Sequence, residues 1–112
     1  MIIITGTINI PADKRAACIA AIAPLQESTR LNEPGCKSYV LAADPVNPAA
    51  ISVVECWADA AALEAHFKHP NFAAIGKMIG EHGITGADVA KYRVDAQASV
   101  FNAEGAPSAS FD

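Results

Sequence analysis

Apolar and polar residues alternate in four short stretches of this chain and recur at helical spacing in the segments between them. Residues 2–10 interleave Ile2, Ile3, Ile4 and Ile8 with Thr5, Thr7 and Asn9 and stop at Pro11, which reads as a strand. Asp13 is placed to cap a following helix that runs to about Leu31 and buries Cys18, Ile19, Ile22 and Leu25 on one stripe. Pro24 lies inside that helix. It has no N–H for the Ala20 carbonyl, so a kink or break is expected there. The turn EPGC (33–36) leads into a second strand, Cys36 to Ala43, and the turn formers DPVNP (44–48) separate it from a third, Ala50 to Trp57. These two strands should form an antiparallel hairpin.

Asp59 is positioned to cap a short helix reaching about Lys68. His69 precedes Pro70 and so avoids helical backbone, which breaks the helix and lets Pro70 start another. The new helix presents Phe72, Ile75 and Ile79 on one side and stops near Gly83. Residues 87–95 alternate as a fourth strand. The order predicts a ferredoxin-like βαββαβ sandwich of the α+β class, with a four-stranded antiparallel sheet. Helices cover one face. The other is bare in a monomer, and its apolar content predicts a second sheet docking on it.

Composition changes this picture in a few places. Residues 1–96 account for every predicted element, so they form the domain, and 97–112 remain as a C-terminal tail. The tail has the small polar, Gly- and Pro-containing makeup of a flexible end, with Phe101 and Phe111 available to pin it to the body or to a partner subunit. Hydrophobic residues make up 52% of the chain and charged ones only 18%, more apolar matter than a small lone domain readily hides. This again points to a homodimer. The eight Lys and Arg are scattered and the net charge is −4, which argues against nucleic acid or an anionic membrane as partner. No apolar run approaches the roughly 20 residues of a membrane span, and MIIITGTINI lacks the marks of a signal peptide. Three cysteines without C-x-x-C spacing fit reduced thiols, and a cytoplasmic location is expected.

Candidate chemistry gathers in VVECWADAAALEAHFKHPNF (53–72). Glu55 and Trp57 share one face of their strand and Cys56 points to the other. A carboxylate in an apolar strand needs either an ion-pair partner at an edge or interface, or a cavity that raises its pKa and suits it to proton transfer. His66 falls on or beside the stripe facing the sheet, where it is either a hydrogen-bonded structural residue or a base; Glu55 is a possible partner. No metal site is expected: Pro70 removes His69 from the helix of His66, and no carboxylate stands at ligand spacing. There is no Gly-rich phosphate loop and no G-x-S-x-G elbow. Tyr39 and Trp57 offer flat surfaces for an aromatic ligand. Arg30 could orient a phenolate, or pair in solvent with Glu27 or Glu33.

EPGCKSY (33–39) and ECWADAAALEAHFKHPNF (55–72), in this order after an N-terminal strand, resemble the antibiotic biosynthesis monooxygenase family over about residues 2–95. The closest likeness is to its small quinol-monooxygenase-type members. The resemblance implies a dimeric α/β barrel with a ligand cavity in each subunit between sheet and helices. It also implies oxidation of a hydroxy-aromatic, such as a quinol or a polyketide-like compound, by molecular oxygen without any cofactor. On that model His66 is the base or its hydrogen-bond partner, Glu55 supports it, Tyr39, Trp57 and Phe72 line the pocket, and Arg30 steadies the anion. The alternative is a non-catalytic member of the same superfamily that binds a small ligand or serves as an accessory subunit. Haem degradation, known on the same fold, is disfavoured: His66 and Gly76 occupy the positions of that branch's Trp and His, and Asn9 does not match its Asn.

Overall fold

Seven elements form in the computed structural model, which describes residues 1–112. They are β1 (Ile2–Asn9), α1 (Ala12–Asn32), β2 (Cys36–Ala43), β3 (Ala50–Trp57), α2 (Ala60–Lys68), α3 (Pro70–Glu81) and β4 (Gly86–Arg93). The four strands make one antiparallel sheet in the order β2-β3-β1-β4, a ferredoxin-like arrangement with the helices on one face. Residues directly opposite one another share a face, so register decides which side chains meet. Tyr39 stands opposite Glu55, Glu55 opposite Ile4, and Ile4 opposite Lys91, giving one row across all four strands.

Local chemistry accounts for most boundaries. Asp59 accepts a hydrogen bond from the Ala62 amide at 2.8 Å and starts α2. His69 has extended backbone (φ −77°, ψ 143°), as a residue before proline should, and its Nδ1 accepts from the Asn71 amide at 3.0 Å to cap α3. Gly35 enters β2 with φ +83°, and a Cβ there would lie 2.5 Å from the Ala62 Cβ, so the turn needs glycine for conformation and for space. On the outer edge of β2, Gln26 of α1 takes the place of a strand. Its amide donates to the Leu41 carbonyl and accepts from the Leu41 N–H, both at 2.9 Å. The core between sheet and helices holds Ile10, Cys18, Ile22, Ile51 and Trp57, each removed from solvent almost completely. Each such large side chain contributes about 1.5–3 kcal/mol by burial.

Several expectations are corrected. Pro11, not Asp13, occupies the N-cap of α1, without a side-chain cap; Asp13 lies in the first turn. The helix passes Pro24 without breaking. Ala20 and Pro24 both face solvent, so water can satisfy the carbonyl that proline leaves unpaired. The buried stripe of α1 is Cys18, Ile22, Gln26 and Thr29, while Ile19 and Leu25 are half-buried. β4 ends at Arg93 rather than at residue 95 and is exposed along nearly its whole length, because the helices lie over the β2/β3 side of the sheet. In the tail, Phe101 bridges to Pro107 in a small closed turn. Phe101 and Phe111 are 58% and 66% exposed in the single chain. No helix is long and apolar enough to cross a membrane.

Candidate functional site

Helices α2 and α3 stand off the β1/β4 half of the sheet and leave a cavity of about 510 Å³ beneath them. Ile4, Leu41 and Val53 form its floor, and Phe67, Phe72 and Ile75 its roof. Polar side-chain groups enter from three residues alone, Tyr39, Glu55 and Lys91, all in the same cross-strand row. The volume and the ratio of apolar wall to polar points are those of a small-molecule site.

Glu55 arrives there because alternation in β3 puts Ile51, Val53, Glu55 and Trp57 on the covered face. One carboxylate oxygen accepts from the Trp57 indole N–H at 3.0 Å. Every fully enclosed side-chain nitrogen or oxygen has a partner, so the second oxygen, which has none within the chain, opens on the cavity. Burial pushes the Glu55 carboxyl above its ordinary pKa; the Trp57 hydrogen bond and the nearness of His66 offset only part of this. The Tyr39 hydroxyl likewise lacks a partner within the chain and meets the cavity. Burial, and then the charges of Glu55 and Glu33, drive its pKa strongly upward, which keeps it a neutral hydrogen-bond donor.

His66 is buried behind the roof. Its ring lies 4.5 Å from that of Trp57, 5.2 Å from Tyr39 and 5.3 Å from Phe72, measured between centroids. Its Nδ1 is 2.6 Å from an oxygen of Glu33, not of Glu55. The other Glu33 oxygen accepts from the Asn71 side-chain amide Nδ2 at 3.1 Å, and the same Nδ2 donates to Ser28 Oγ at 3.1 Å. Burial raises the Glu33 pKa, but the hydrogen bonds with His66 and Asn71 and the nearby His66 charge outweigh it and hold the carboxyl below its usual range. Glu33 thus ties the EPGC turn to α2 and the start of α3, and Asn71 extends the tie to Ser28 near the end of α1.

The structure brings Tyr39, Glu55 and Phe72 together around the cavity and sets Trp57 and His66 directly behind them. Arg30 is elsewhere: it is exposed, does not line the cavity, and its Nε donates to the Tyr39 main-chain carbonyl at 2.7 Å. Three residues of the site escaped sequence reasoning. Glu33 reads there as a solvated partner for Arg30, Asn71 carries no assignment, and Lys91 is only one residue of the alternating stretch 87–95. For Lys91 a signal existed in the parity of 87, 89 and 91, but only the register with β1 shows which parity faces the helices.

A model of the antibiotic biosynthesis monooxygenase family matches residues 1–78. An uncharacterized protein of Synechocystis sp. is 35% identical over 71 residues, which is 63% of this chain and 48% of that protein. The chain therefore spans about half the length of this curated relative. The crystal structure of a candidate antibiotic biosynthesis monooxygenase from Deinococcus radiodurans superposes with a TM-score of 0.80 at 20% identity, covering 91% of this chain and 100% of the other, and shows the shared fold. A second such candidate, from Caulobacter crescentus, gives 0.75 at 26% identity over 87% and 90% of the two chains.

Proposed function

The chain belongs to the antibiotic biosynthesis monooxygenase family, and from that premise we propose that it oxidises a hydroxy-aromatic, of the quinol or polyketide class, with molecular oxygen. The observation that carries this reading is a largely apolar cavity into which one carboxyl of raised pKa opens a free oxygen. Such a group takes a proton from a phenol or activated C–H more readily than an ordinary carboxylate and holds it for return. The electron-rich anion gives one electron to oxygen, and the resulting radical and superoxide combine as a carbon-bound peroxide. Glu55 returns its proton to the distal oxygen. The O–O bond breaks as the carbon loses its remaining hydrogen as a proton, leaving a carbonyl and water. The substrate supplies all four electrons, so the balance needs no external reductant and no cofactor.

In this scheme Glu55 is the base, whereas the resemblance read from sequence gives that role to His66 and makes Glu55 its support. The Tyr39 hydroxyl donates to the developing anion. His66 is a positioning residue: fixed by Glu33, it packs against Trp57 and Phe72 and keeps the aromatic wall in place. The protein works as a homodimer, its bare sheet face covered by a second copy. Val54 and Tyr92, 46% and 56% exposed on that face, support this pairing. The three free cysteines fit a reducing cytoplasm.

Oxygen consumption by metal-free protein, measured over a panel of hydroquinones and anthrones, tests the reading. Uptake matched by quinone formation and lost in Glu55→Gln is expected. Tight binding of the same compounds without uptake would leave a ligand-binding protein rather than an oxygenase.

A further inference from the structure

The cavity has a cation at one end that the proposed oxidation does not use. Lys91 lies on the cavity face of β4, and no ion pair of the chain involves it or Arg93. Its neighbours on the cavity side are apolar: Val89 and Ala87 precede it on alternate positions, and Ile4 stands opposite, while Arg93 follows on the outer side. β4 is exposed, so the ammonium sits at the mouth, where it is solvated when the site is empty. Glu55 is two strands away in the same row, with Ile4 between them. Strand spacing puts their backbones about 10 Å apart. A proton-accepting end and a cationic end are therefore separated by an apolar floor about as long as a two- or three-ring aromatic. An anion at the Glu55 end would meet a buried carboxylate, so the polarity of the row admits one orientation only.

From this row we infer that the ligand is an acidic hydroxy-aromatic, inserted ring first, with its hydroxyl at Tyr39 and Glu55 and a carboxylate held at the mouth by Lys91. The inference rests on the cavity being the substrate site and adds the substrate's charge and direction of entry. The anion-steadying role that the resemblance gives to Arg30 falls to Tyr39, because Arg30 is engaged with the Tyr39 carbonyl; Lys91 meets a different group, the carboxylate at the mouth. Arg93 lies one row further out on the same face, opposite Ile2, and marks the path of approach rather than the anion's resting point.

Calorimetric titration of the full chain with a hydroxynaphthoic acid and with its methyl ester tests the assignment at neutral pH. The acid is expected to bind about tenfold more tightly, the scale of a hydrogen bond to a charged group. Lys91→Met should bring the ratio of the two affinities to about one, and Lys91→Arg should keep the preference. Equal binding of acid and ester by the unaltered protein overturns the inference and leaves the cavity reading standing. So does a preference that survives Lys91→Met, or one that Arg93→Met removes instead. Failure of both compounds to bind overturns the inference together with the cavity reading.

Discussion

Glu33 and Glu55 are equally hidden, at 6% and 8% exposure, yet their carboxyls move in opposite directions. Glu33 has a partner on each oxygen: His66 lies 2.6 Å from one and the Asn71 side-chain amide donates to the other at 3.1 Å. Glu55 has one, the Trp57 indole, and an apolar cavity on its other side. Burial alone raises the pKa of either group; the number of hydrogen bonds to the charged form decides which way the balance falls. A carboxylate that is fully partnered becomes a structural tie. One left half-partnered beside a cavity is available to exchange a proton with whatever enters.

The largest expected effect is on the tie. Glu33→Ala should lower the unfolding free energy by about 3 kcal/mol or more, since it removes the acceptor of a buried pair and strands both His66 and Asn71. Urea denaturation at neutral pH measures this, and a loss under about 1 kcal/mol would erase the contrast between the two carboxylates. Glu55→Gln should do the reverse: oxygen uptake falls about 100-fold, while stability stays within about 1 kcal/mol of the parent or rises. Asn71→Ala should cost about 1–2 kcal/mol, because Glu33 keeps His66 but loses one donor.

The smallest effects are in pH dependence, and they have opposite signs. The folded pKa of Glu33 is depressed, so its stabilisation is present above the unfolded value of 4.5 and is lost as pH falls through the folded value. The stability gap between the parent and Glu33→Gln should therefore close in acid. The folded pKa of Glu55 is raised, so its contribution is complete below 4.5 and declines as pH rises through the folded value. The parent should consequently lose ground to Glu55→Gln between pH 4.5 and the folded pKa of Glu55. Parallel curves for the two variants would show that their partners do not distinguish them.

Strand and helix positions were legible because their causes are local. Alternation in ISVVECW marked β3 and the side on which Glu55 and Trp57 lie, and Asp59 and the His69–Pro70 pair marked the ends of α2 and α3. No break forms at Pro24, because the cost of a missing hydrogen bond depends on whether water reaches the orphaned carbonyl, and that is a property of the packed helix. The partner of His66 was misread for a similar reason. Glu55 is nearer in sequence, but Glu33, 33 residues away, is brought to 2.6 Å by the packing of the EPGC turn on α2.

Periodicity, caps and turns thus determined from the sequence alone that this chain makes a four-stranded antiparallel sheet with helices on one face, and that Glu55, Trp57 and His66 lie near the joint of β3 and α2. Each of those signals acts within a few residues. Tertiary structure decided which carboxylate holds the histidine, that Arg30 does not line the cavity, and that Lys91 faces into it. Those outcomes depend on strand register and helix placement, which join residues dozens of positions apart by distances that no local pattern records.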